Sequence, residues 1–355
     1  MPTLTFVTRG TDAAKAARSG RPSTIYDVAE TAGVSTQTVT RFLNGFEGIS
    51  PATRTKVGQA MEELAFRPNP LARALRTSKP NRILLFVHEL SEAGPSNIVR
   101  AATKAAAAAS YVLDIVSLDV DSLESSARTI RQTGLQYVAG AMALAPTREF
   151  DGLFDDLARR VPLLREVNGD GLEGPHAQSD TDLGAQLAVR HLHDLGHRRI
   201  FVIAGPEGWF STTKRLRTVI DDASVLGMAV SGVQHGDWSA ASGFAIARDA
   251  RLDEGTTAII AANDEMAMGA LAALDQRGID VPGDLSIVGY DDIRGAAYFK
   301  PALTSIHVDF KAKGELAVSR LLALIEGQSE ESLETAQGPL VPPRLVVRAS
   351  TAAVS

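Results

Sequence analysis

The sequence predicts an α/β body of two similar lobes, each built on a doubly wound parallel sheet, preceded by a small all-α headpiece. From residue 82 onward, short and continuously apolar runs alternate with helical stretches, as in parallel strands that are buried on both faces. Before that point, helix-capping signals indicate three short helices within residues 23–66. The length of 355 residues leaves room for two or three domains.

Composition restricts the class of protein. Hydrophobic residues make up 45% and charged residues 22% of the chain, as in ordinary globular proteins. No apolar run approaches the roughly 20 residues that span a bilayer, and the N-terminal segment lacks the apolar core of a secretory signal. We therefore expect a cytoplasmic protein with no membrane partner. The absence of cysteine excludes disulfides, thiolate metal sites and cysteine nucleophiles.

Charge is distributed unevenly along the chain. Residues 1–80 carry 11 Lys and Arg against 6 Asp and Glu, whereas the remainder carries 25 against 36. A basic N-terminal module on an acidic body suits a protein that approaches a polyanion with one end only. An uneven spread of solvated charge would give the same balance, so the local pattern has to decide. Residues 1–22, rich in Thr, Ala, Gly and Arg, are predicted to form a flexible tail.

The first two helices are predicted from their caps. Thr24 and Asp27 have the spacing of a capping box, and the helix that they begin runs to about residue 31. Gly33 provides a turn residue that tolerates positive φ, and Ser35 caps a second helix over 36–44. Two short helices joined by a tight turn with Gly form a helix-turn-helix layout.

A third helix completes the headpiece, which we assign to residues 23–69. Ser50-Pro51 marks its start, and apolar residues follow at helical spacing. Pro68-Asn69-Pro70 stops it, because proline does not continue a helix. A short hinge helix is predicted within 70–79.

The body, residues 80–355, contains seven apolar runs of strand length, at 83–87, 112–116, 137–144, 161–164, 200–204, 258–262 and 285–289. Seven or more strand-helix units are more than we expect in a single sheet. The pattern therefore predicts two lobes with a cleft between them. The chain is expected to cross between the lobes at 168–178 and again at 307–313.

Enzyme signatures are absent from the sequence. It holds no P-loop motif, no Gly-x-Ser-x-Gly and no His-Glu-x-x-His, and its single Gly-x-Gly-x-x-Gly spacing, at 169–174, lies in a polar stretch and not at a strand-to-helix turn. His191, His193 and His197 lack the spacing of metal ligands on one helix face, and a helix end with basic residues near its carbonyls is favoured there. We therefore expect no catalytic residues, no metal and no cofactor.

The second helix has the chemistry of a base reader. Val39, Phe42 and Leu43 are expected to face inward, which leaves four polar side chains for a DNA groove: Thr36, Gln37, Thr40 and Arg41. Gln pairs with adenine, and Arg pairs with guanine O6 and N7, each through two hydrogen bonds.

A series of motifs stands in register from Thr24 to Arg76: Thr24-Ile-Tyr-Asp-Val-Ala-Glu-Thr-Ala-Gly-Val-Ser-Thr-Gln-Thr-Val-Thr-Arg-Phe-Leu-Asn44, Ser50-Pro-Ala-Thr-Arg54, Leu64-Ala-Phe-Arg-Pro-Asn69 and Ala72-Arg-Ala-Leu-Arg76. They resemble the headpiece and hinge of the LacI/GalR family of transcriptional regulators. The resemblance implies that this region binds double-stranded operator DNA through Thr24, Tyr26, Ser35, Thr36, Gln37, Thr40, Arg41, Asn44, Arg73, Leu75 and Arg76. Ser35 and Asn44 would lie near phosphates, and Leu75 would wedge into the minor groove and bend the duplex.

The body continues this resemblance to about Arg348. Its motifs follow in family order: Ala204-Gly-Pro206, Lys214-Arg-Leu-Arg217, Gly236-Asp-Trp-Ser-Ala240, Ala262-Asn-Asp-Glu-Met-Ala267, Val288-Gly-Tyr-Asp-Asp292 and Pro301-Ala-Leu-Thr-Ser-Ile306. The resemblance implies a periplasmic-binding-protein-like pair of lobes that closes on a small effector. The effector-binding residues would be Pro95, Ile98, Thr213, Arg217, Trp238, Asn263, Asp291 and Phe310.

The resemblance also implies a function. A carboxylate, a guanidinium and an amide beside aromatic rings suit a polyhydroxylated ligand, so we expect a small saccharide, a galactoside or glucoside and preferably a disaccharide, over a purine. The expected protein is a nucleoid-associated homodimer that represses carbohydrate genes at a palindromic operator until sugar releases it. No leucine-heptad tail follows Arg348, which favours a dimer over a tetramer. The alternatives are a corepressor-dependent regulator and a sugar-binding protein or enzyme with a vestigial headpiece.

Overall fold

The computed structural model describes residues 23–43, 45–66, 80–165, 179–328 and 342–354. Contacts divide the chain into two compact units, Met1–Lys79 and Pro80–Ser355. Several predicted features lie outside the described residues: the tail 1–22, Asn44, the hinge helix with Arg73, Leu75 and Arg76, and the first crossing at 168–178.

Three helices form the headpiece: α1 (Ile25–Ala32), α2 (Thr36–Leu43) and α3 (Pro51–Glu63). The predicted caps are present. The Thr24 backbone N–H donates to the Asp27 carboxylate at 2.6 Å, and Ser50 Oγ accepts from the Thr53 N–H at 3.2 Å. Gly33 ends α1 with φ at +65°, a conformation that costs glycine little.

The headpiece core is small. Val28 on α1, Val39 on α2 and Val57 on α3 are fully buried against one another. Partly buried Phe42 and Leu43 pack on this cluster, as predicted for the inner face of α2. Burial of one face of α2 leaves its opposite face to solvent.

The first lobe of the body is built on a four-stranded parallel sheet in the order β2-β1-β3-β4. Its strands are β1 (Arg82–Val87), β2 (Val112–Ser117), β3 (Val138–Ala143) and β4 (Leu163–Arg165). The helices between them are α4 (Ala93–Ala108), α5 (Leu123–Gln132), α6 (Arg148–Gly152) and α7 (Asp155–Ala158).

The second lobe holds a six-stranded sheet in the order β10-β9-β8-β7-β5-β6, parallel except for the β9–β10 pair. Its strands are β5 (Arg199–Ala204), β6 (Ala229–His235), β7 (Ala258–Ala261), β8 (Ser286–Asp291), β9 (Thr304–His307) and β10 (Arg344–Val346). Its helices are α8 (Asp180–Asp194), α9 (Phe210–Val225), α10 (Ala240–Asp249), α11 (Asp264–Gln276) and the 3-10 turn Ala296–Tyr298.

The chain passes between the lobes after β9, within the stretch 307–313 that was expected to cross. Helix α12 (Phe310–Ile325) then packs on the first lobe, where Val318 and Leu321 join Ile83 and Met142 in one buried cluster. β10 returns to the second sheet. The carboxyl ends of both parallel sheets therefore meet where the chain crosses.

The predicted fold class is confirmed, and all seven predicted strands are present. Three further strands were not predicted: β6 and β9 carry too many polar residues to stand out as apolar runs, and β10 is only three residues long. The expectation that every run is buried on both faces is wrong for β2, because β2 lies at a sheet edge and leaves Val112 49% and Ile115 45% exposed.

The histidine cluster is structural. His191 hydrogen-bonds Thr351 Oγ1 at 3.0 Å, and His197 bridges Thr257 Oγ1 at 2.8 Å and the Ala352 carbonyl at 3.1 Å. Arg198 donates to the His193 carbonyl at the end of α8, as expected for a basic helix end. Within the described ranges, no group of three or more acidic or histidine side chains is arranged for a metal, and no helix is long and apolar enough to cross a membrane.

Candidate functional site

The headpiece presents a polar face on α2. Gln37 and Arg41 are exposed one helical turn apart, and Thr36 and Thr40 are half-buried beside them. Residues four apart lie on the same helix face, so the structure brings the four predicted readers together. On α1, Tyr26 is 71% exposed.

Two other predicted DNA contacts already serve as helix caps. The hydroxyl of Thr24 hydrogen-bonds the Asp27 carboxylate at 2.6 Å, and Ser35 Oγ accepts from the Thr38 N–H at 3.1 Å. Both residues stand beside helix N-termini, where backbone amides favour anions.

A cavity opens between the two lobes of the body at the carboxyl ends of both sheets, where open α/β folds bind ligands. Its space, including the part open to solvent, is about 940 Å³. The residues that line it are His88, Glu92, Ala93, Gly94, Pro95, Leu144, Ala145, Pro146, Thr181, Trp209, Phe210, Ser211, Arg215, Trp238, Asn263, Tyr290, Asp291, Val308, Phe310 and Lys313.

Arg215 and Asp291 form the charged centre of the cavity. Arg215 Nη2 lies 4.0 Å from Asp291 Oδ1, and the guanidinium stacks on the Tyr290 ring at 3.8 Å from its centroid. Arg215 also donates to the Ala262 carbonyl at the end of β7. These contacts hold a planar donor fork beside a carboxylate, an arrangement suited to adjacent hydroxyl groups.

Asn263 is anchored at the end of β7. Its Oδ1 accepts from the Met266 N–H and caps α11, and its Nδ2 donates to the Trp238 carbonyl, both at 2.8 Å. Trp238 itself is 5% exposed and holds φ at +72°. A Cβ at Gly205 would collide with its indole. Glycine at the end of β5 therefore makes room for the tryptophan.

Aromatic rings form one wall of the cavity. The rings of Trp209 and Trp238 meet edge to face with centroids 5.9 Å apart, and His88 packs against Trp209 at 5.1 Å. Trp238 Nε1 is buried without a hydrogen-bond partner among the described residues. A buried donor normally finds a partner, and a ligand oxygen in this cavity would provide one.

Burial changes the acid-base behaviour of the cavity carboxyls. It raises the pKa of Asp291 to about 7 against the opposing effect of Arg215. It raises the pKa of Glu92 to about 8, to which the like charges of Glu89 and Asp291 add. At neutral pH the Glu92 carboxyl is therefore largely protonated and can donate as well as accept a hydrogen bond.

The predicted effector-binding residues divide into two groups. The structure brings five of them to the cavity: Pro95, Trp238, Asn263, Asp291 and Phe310. Their roles as ligand contacts stay predictions.

Three predicted effector contacts do not line the cavity. Thr213 and Arg217 lie on the exposed face of α9, and Ile98 is fully buried between α4 and the first sheet. The physical reason for α9 is its phase: Thr212, Thr218 and Val219 are buried, and at 3.6 residues per turn Arg215 shares their side, whereas Arg217 points away.

The sequence contained signals for some of the residues that the prediction missed. Arg215 follows from the apolar phase of α9. His88 directly follows β1 at a carboxyl sheet edge, and Lys313 lies one turn beyond Phe310 on α12. In the structure, Lys313 Nζ lies 3.8 Å from Asp180 Oδ2. No local sequence pattern identified Glu92 or Trp209 as cavity residues, because their position depends on how the lobes meet.

Two family models match the chain. The model for bacterial regulatory proteins of the lacI family matches residues 24–69, and the model for the periplasmic binding protein-like domain matches residues 189–351. The first covers the headpiece and the second covers most of the second lobe and α12.

Curated relatives match over nearly the whole chain. The lactose operon repressor of Escherichia coli (strain K12) is 34% identical over 337 residues, which cover 94% of this chain and 92% of the repressor. The repressor PurR of Salmonella paratyphi B is 32% identical over 338 residues, covering 93% and 97%.

Solved structures agree with these relatives. A Lac repressor dimer bound to operator and the anti-inducer ONPF matches with a TM-score of 0.80 and 33% identity, covering 94% of this chain and all of that one. The complex of the transcriptional regulator CelR with cellobiose matches with a TM-score of 0.63 and 28% identity, covering 92% and 99%. The chain therefore belongs to the LacI family of DNA-binding transcriptional regulators.

Proposed function

We propose that this protein is a sugar-responsive repressor that acts as a non-enzymatic homodimer in the cytoplasm. Each headpiece reads one half-site of a palindromic operator through α2, with Thr36, Gln37, Thr40 and Arg41 at the base edges. Leu75 in the hinge wedges into the central step, and Arg73, Arg76 and Asn44 add backbone contacts.

The effector is a neutral saccharide, a galactoside or glucoside and preferably a disaccharide. The observation that carries this proposal is the cavity between the lobes. Two tryptophans there face a set of groups that both donate and accept hydrogen bonds: Glu92, Arg215, Asn263 and Asp291. A carboxyl held largely neutral suits a ligand with hydroxyls and no net charge, and indole faces suit the C–H faces of sugar rings. The CelR neighbour was solved with cellobiose.

Binding is coupled to release from DNA by population shift. Sugar that contacts both lobes favours the closed arrangement of the body, and the operator-binding state loses population. A coupling of about 1 to 3 kcal/mol, common for allosteric proteins, corresponds to a 5- to 150-fold loss of operator affinity.

Fluorescence anisotropy tests this function directly. The full-length protein is titrated onto the DNA upstream of its own gene, with and without a panel of galactosides, glucosides and purines. Salt-sensitive binding that one saccharide releases is the expected result. If that DNA does not bind, sites selected from a randomised duplex library replace it in the same titration. Failure to select any site would overturn the repressor proposal.

A corepressor-dependent regulator is the second candidate, because PurR is 32% identical over 93% of this chain. DNA binding that appears only when a purine or a sugar is added would show that the small molecule acts as a corepressor. Turnover of a saccharide, measured by product chromatography, would instead point to an enzyme with a vestigial headpiece.

A further inference from the structure

The guanidinium of Arg41 lies against an aromatic ring on the loop that follows α2. Arg41 Cζ is 5.4 Å from the centroid of the Phe46 ring. A cation within about 6 Å of a ring centroid is attracted by the ring quadrupole, and Arg is the cation most often found there.

The loop holds this ring in place. The Phe46 N–H donates to the Arg41 carbonyl at 3.0 Å, and the Phe46 carbonyl accepts from Arg54 Nη2 on α3 at 2.7 Å. A Cβ at Gly48 would lie 2.5 Å from Phe46 Cε1, so a larger residue there would displace the ring from this position. The loop is thus tied to both helices that flank it, and the ring rests beside the guanidinium.

The headpiece core does not account for Phe46. The ring is 52% exposed and lies outside the buried cluster around Val39 and Val57. A large apolar side chain on a short polar loop therefore contributes little to the core, and its clear contact is with Arg41. An exposed Arg loses much rotamer freedom when it makes a two-bond contact with a base, and a ring that holds its plane lowers that loss.

We propose that Phe46 is a positioning residue that orients Arg41 for paired hydrogen bonds to guanine, and that it thereby sets how strongly one operator base is discriminated. This inference rests on the proposed base-reading role of Arg41. It assigns to Phe46 an effect on a single base position and no direct contact with DNA.

The test uses full-length protein and a site selected by the wild type from a randomised duplex library. Affinities are measured by anisotropy for that site and for every single-base-pair substitution within it. Arg41→Ala first identifies the position that Arg41 reads, where discrimination should be lost by about 5- to 150-fold.

Phe46→Leu keeps apolar bulk without the π face, and Phe46→Tyr keeps both. We expect Phe46→Leu to lower discrimination about 2- to 5-fold at the Arg41 position and at no other, and Phe46→Tyr to retain it. In the Arg41→Ala background, Phe46→Leu should have no further effect. Thermal unfolding by circular dichroism checks that each variant keeps its fold.

The outcomes distinguish the positioning role of Phe46 from the base-reading role of Arg41. If Arg41→Ala relaxes one position but Phe46→Leu leaves it unchanged, the positioning role is wrong. If Phe46→Leu lowers affinity equally for all sequences, or changes a position that Arg41 does not read, the ring acts on DNA directly and the inference is overturned. If Arg41→Ala relaxes no position, the proposed reading by α2 fails instead.

Discussion

At the scale of single residues, helical phase decides which arginine of α9 faces the cavity. The two arginines stand two positions apart in the sequence. On a helix, side chains at that spacing point about 200° away from each other. Arg215 lies 4.0 Å from Asp291, whereas Arg217 is exposed on the other face. The motif contains both arginines, and the phase of the helix places Arg215, not the predicted Arg217, at the cavity.

This difference predicts the behaviour of two matched variants. Arg215→Ala should abolish the release of DNA by the active saccharide or raise its half-maximal concentration at least 10-fold, because removal of a charged hydrogen-bond donor costs about 1.5 to 3 kcal/mol. Arg217→Ala should respond as the wild type does. The measurement is anisotropy of bound operator against sugar concentration, and equal responses of the two variants would contradict the assignment.

Glu92 predicts a dependence of stability on pH. Burial and neighbouring acids raise its pKa to about 8 from the ordinary value of 4.5. Between these values the folded protein binds more protons than the unfolded chain, so the free energy of unfolding falls as pH rises through that window.

Glu92→Gln should therefore be more stable than the wild type at pH 9, by on the order of 1 kcal/mol after allowance for its partial exposure. The difference should be much smaller at pH 5. Urea unfolding of the ligand-free protein at both values measures it. Glu149→Gln is the control, because capping contacts lower the pKa of that exposed carboxyl. An equal gain in stability for both variants at pH 9 would contradict the raised pKa of Glu92 as the cause.

At the scale of elements, two glycines allow α10 and α11 to cross closely. A Cβ at Gly243 would collide with the backbone of Met266, and a Cβ at Gly269 would collide with the Ala240 carbonyl. The helices meet backbone to backbone there, below the cavity residues Trp238 and Asn263 that precede them.

Gly269→Ala should accordingly destabilise the body by about 1 to 3 kcal/mol, the usual cost of overpacking. Gly58→Ala is the contrasting change, since a Cβ there meets nothing within 4 Å in the middle of α3. It should stabilise the headpiece by about 0.5 to 1 kcal/mol, because alanine loses less backbone entropy in a helix. Denaturant unfolding measures the change in the free energy of unfolding for each variant. A Gly269→Ala variant as stable as the wild type would show that the two helices leave room for a methyl group where they cross.

At the scale of the whole molecule, the proposed dimer needs a surface that a second copy covers, and two exposed apolar side chains of the second lobe are candidates for it. Val225 at the end of α9 and Tyr298 after β8 are each 84% exposed. Single exposed apolar residues are common on soluble monomers, so a measurement of self-association decides whether either residue lies between protomers.

Tyr298→Asp should weaken self-association and, with it, operator affinity, while the unfolding midpoint of the isolated chain changes little because the side chain makes few contacts within it. Sedimentation velocity at micromolar concentration measures the change. Arg251→Asp, a change at an exposed polar residue of the same lobe, is the control. A wild type that sediments as a monomer would refute the dimer, and a tetramer would refute the expected assembly.

The sequence by itself determined the class of this molecule. Capping boxes, the 3.6-residue period of α2 and the apolar strand runs depend on near neighbours along the chain, so they predicted the three-helix headpiece and the α/β body. The family motifs added five residues that the structure brings to the cavity. Strands such as β9, whose partners lie far along the chain, gave no comparable local signal.

Only the tertiary structure decided what surrounds the ligand space. Glu92 comes from the N-terminal end of α4 and Trp209 from the loop after β5. These elements meet because the chain crosses between lobes and both sheets turn their carboxyl ends toward one cleft. The pKa of Glu92 and the pairing of Arg215 with Asp291 depend on burial and on distances between residues remote in sequence, and no local pattern encodes either quantity.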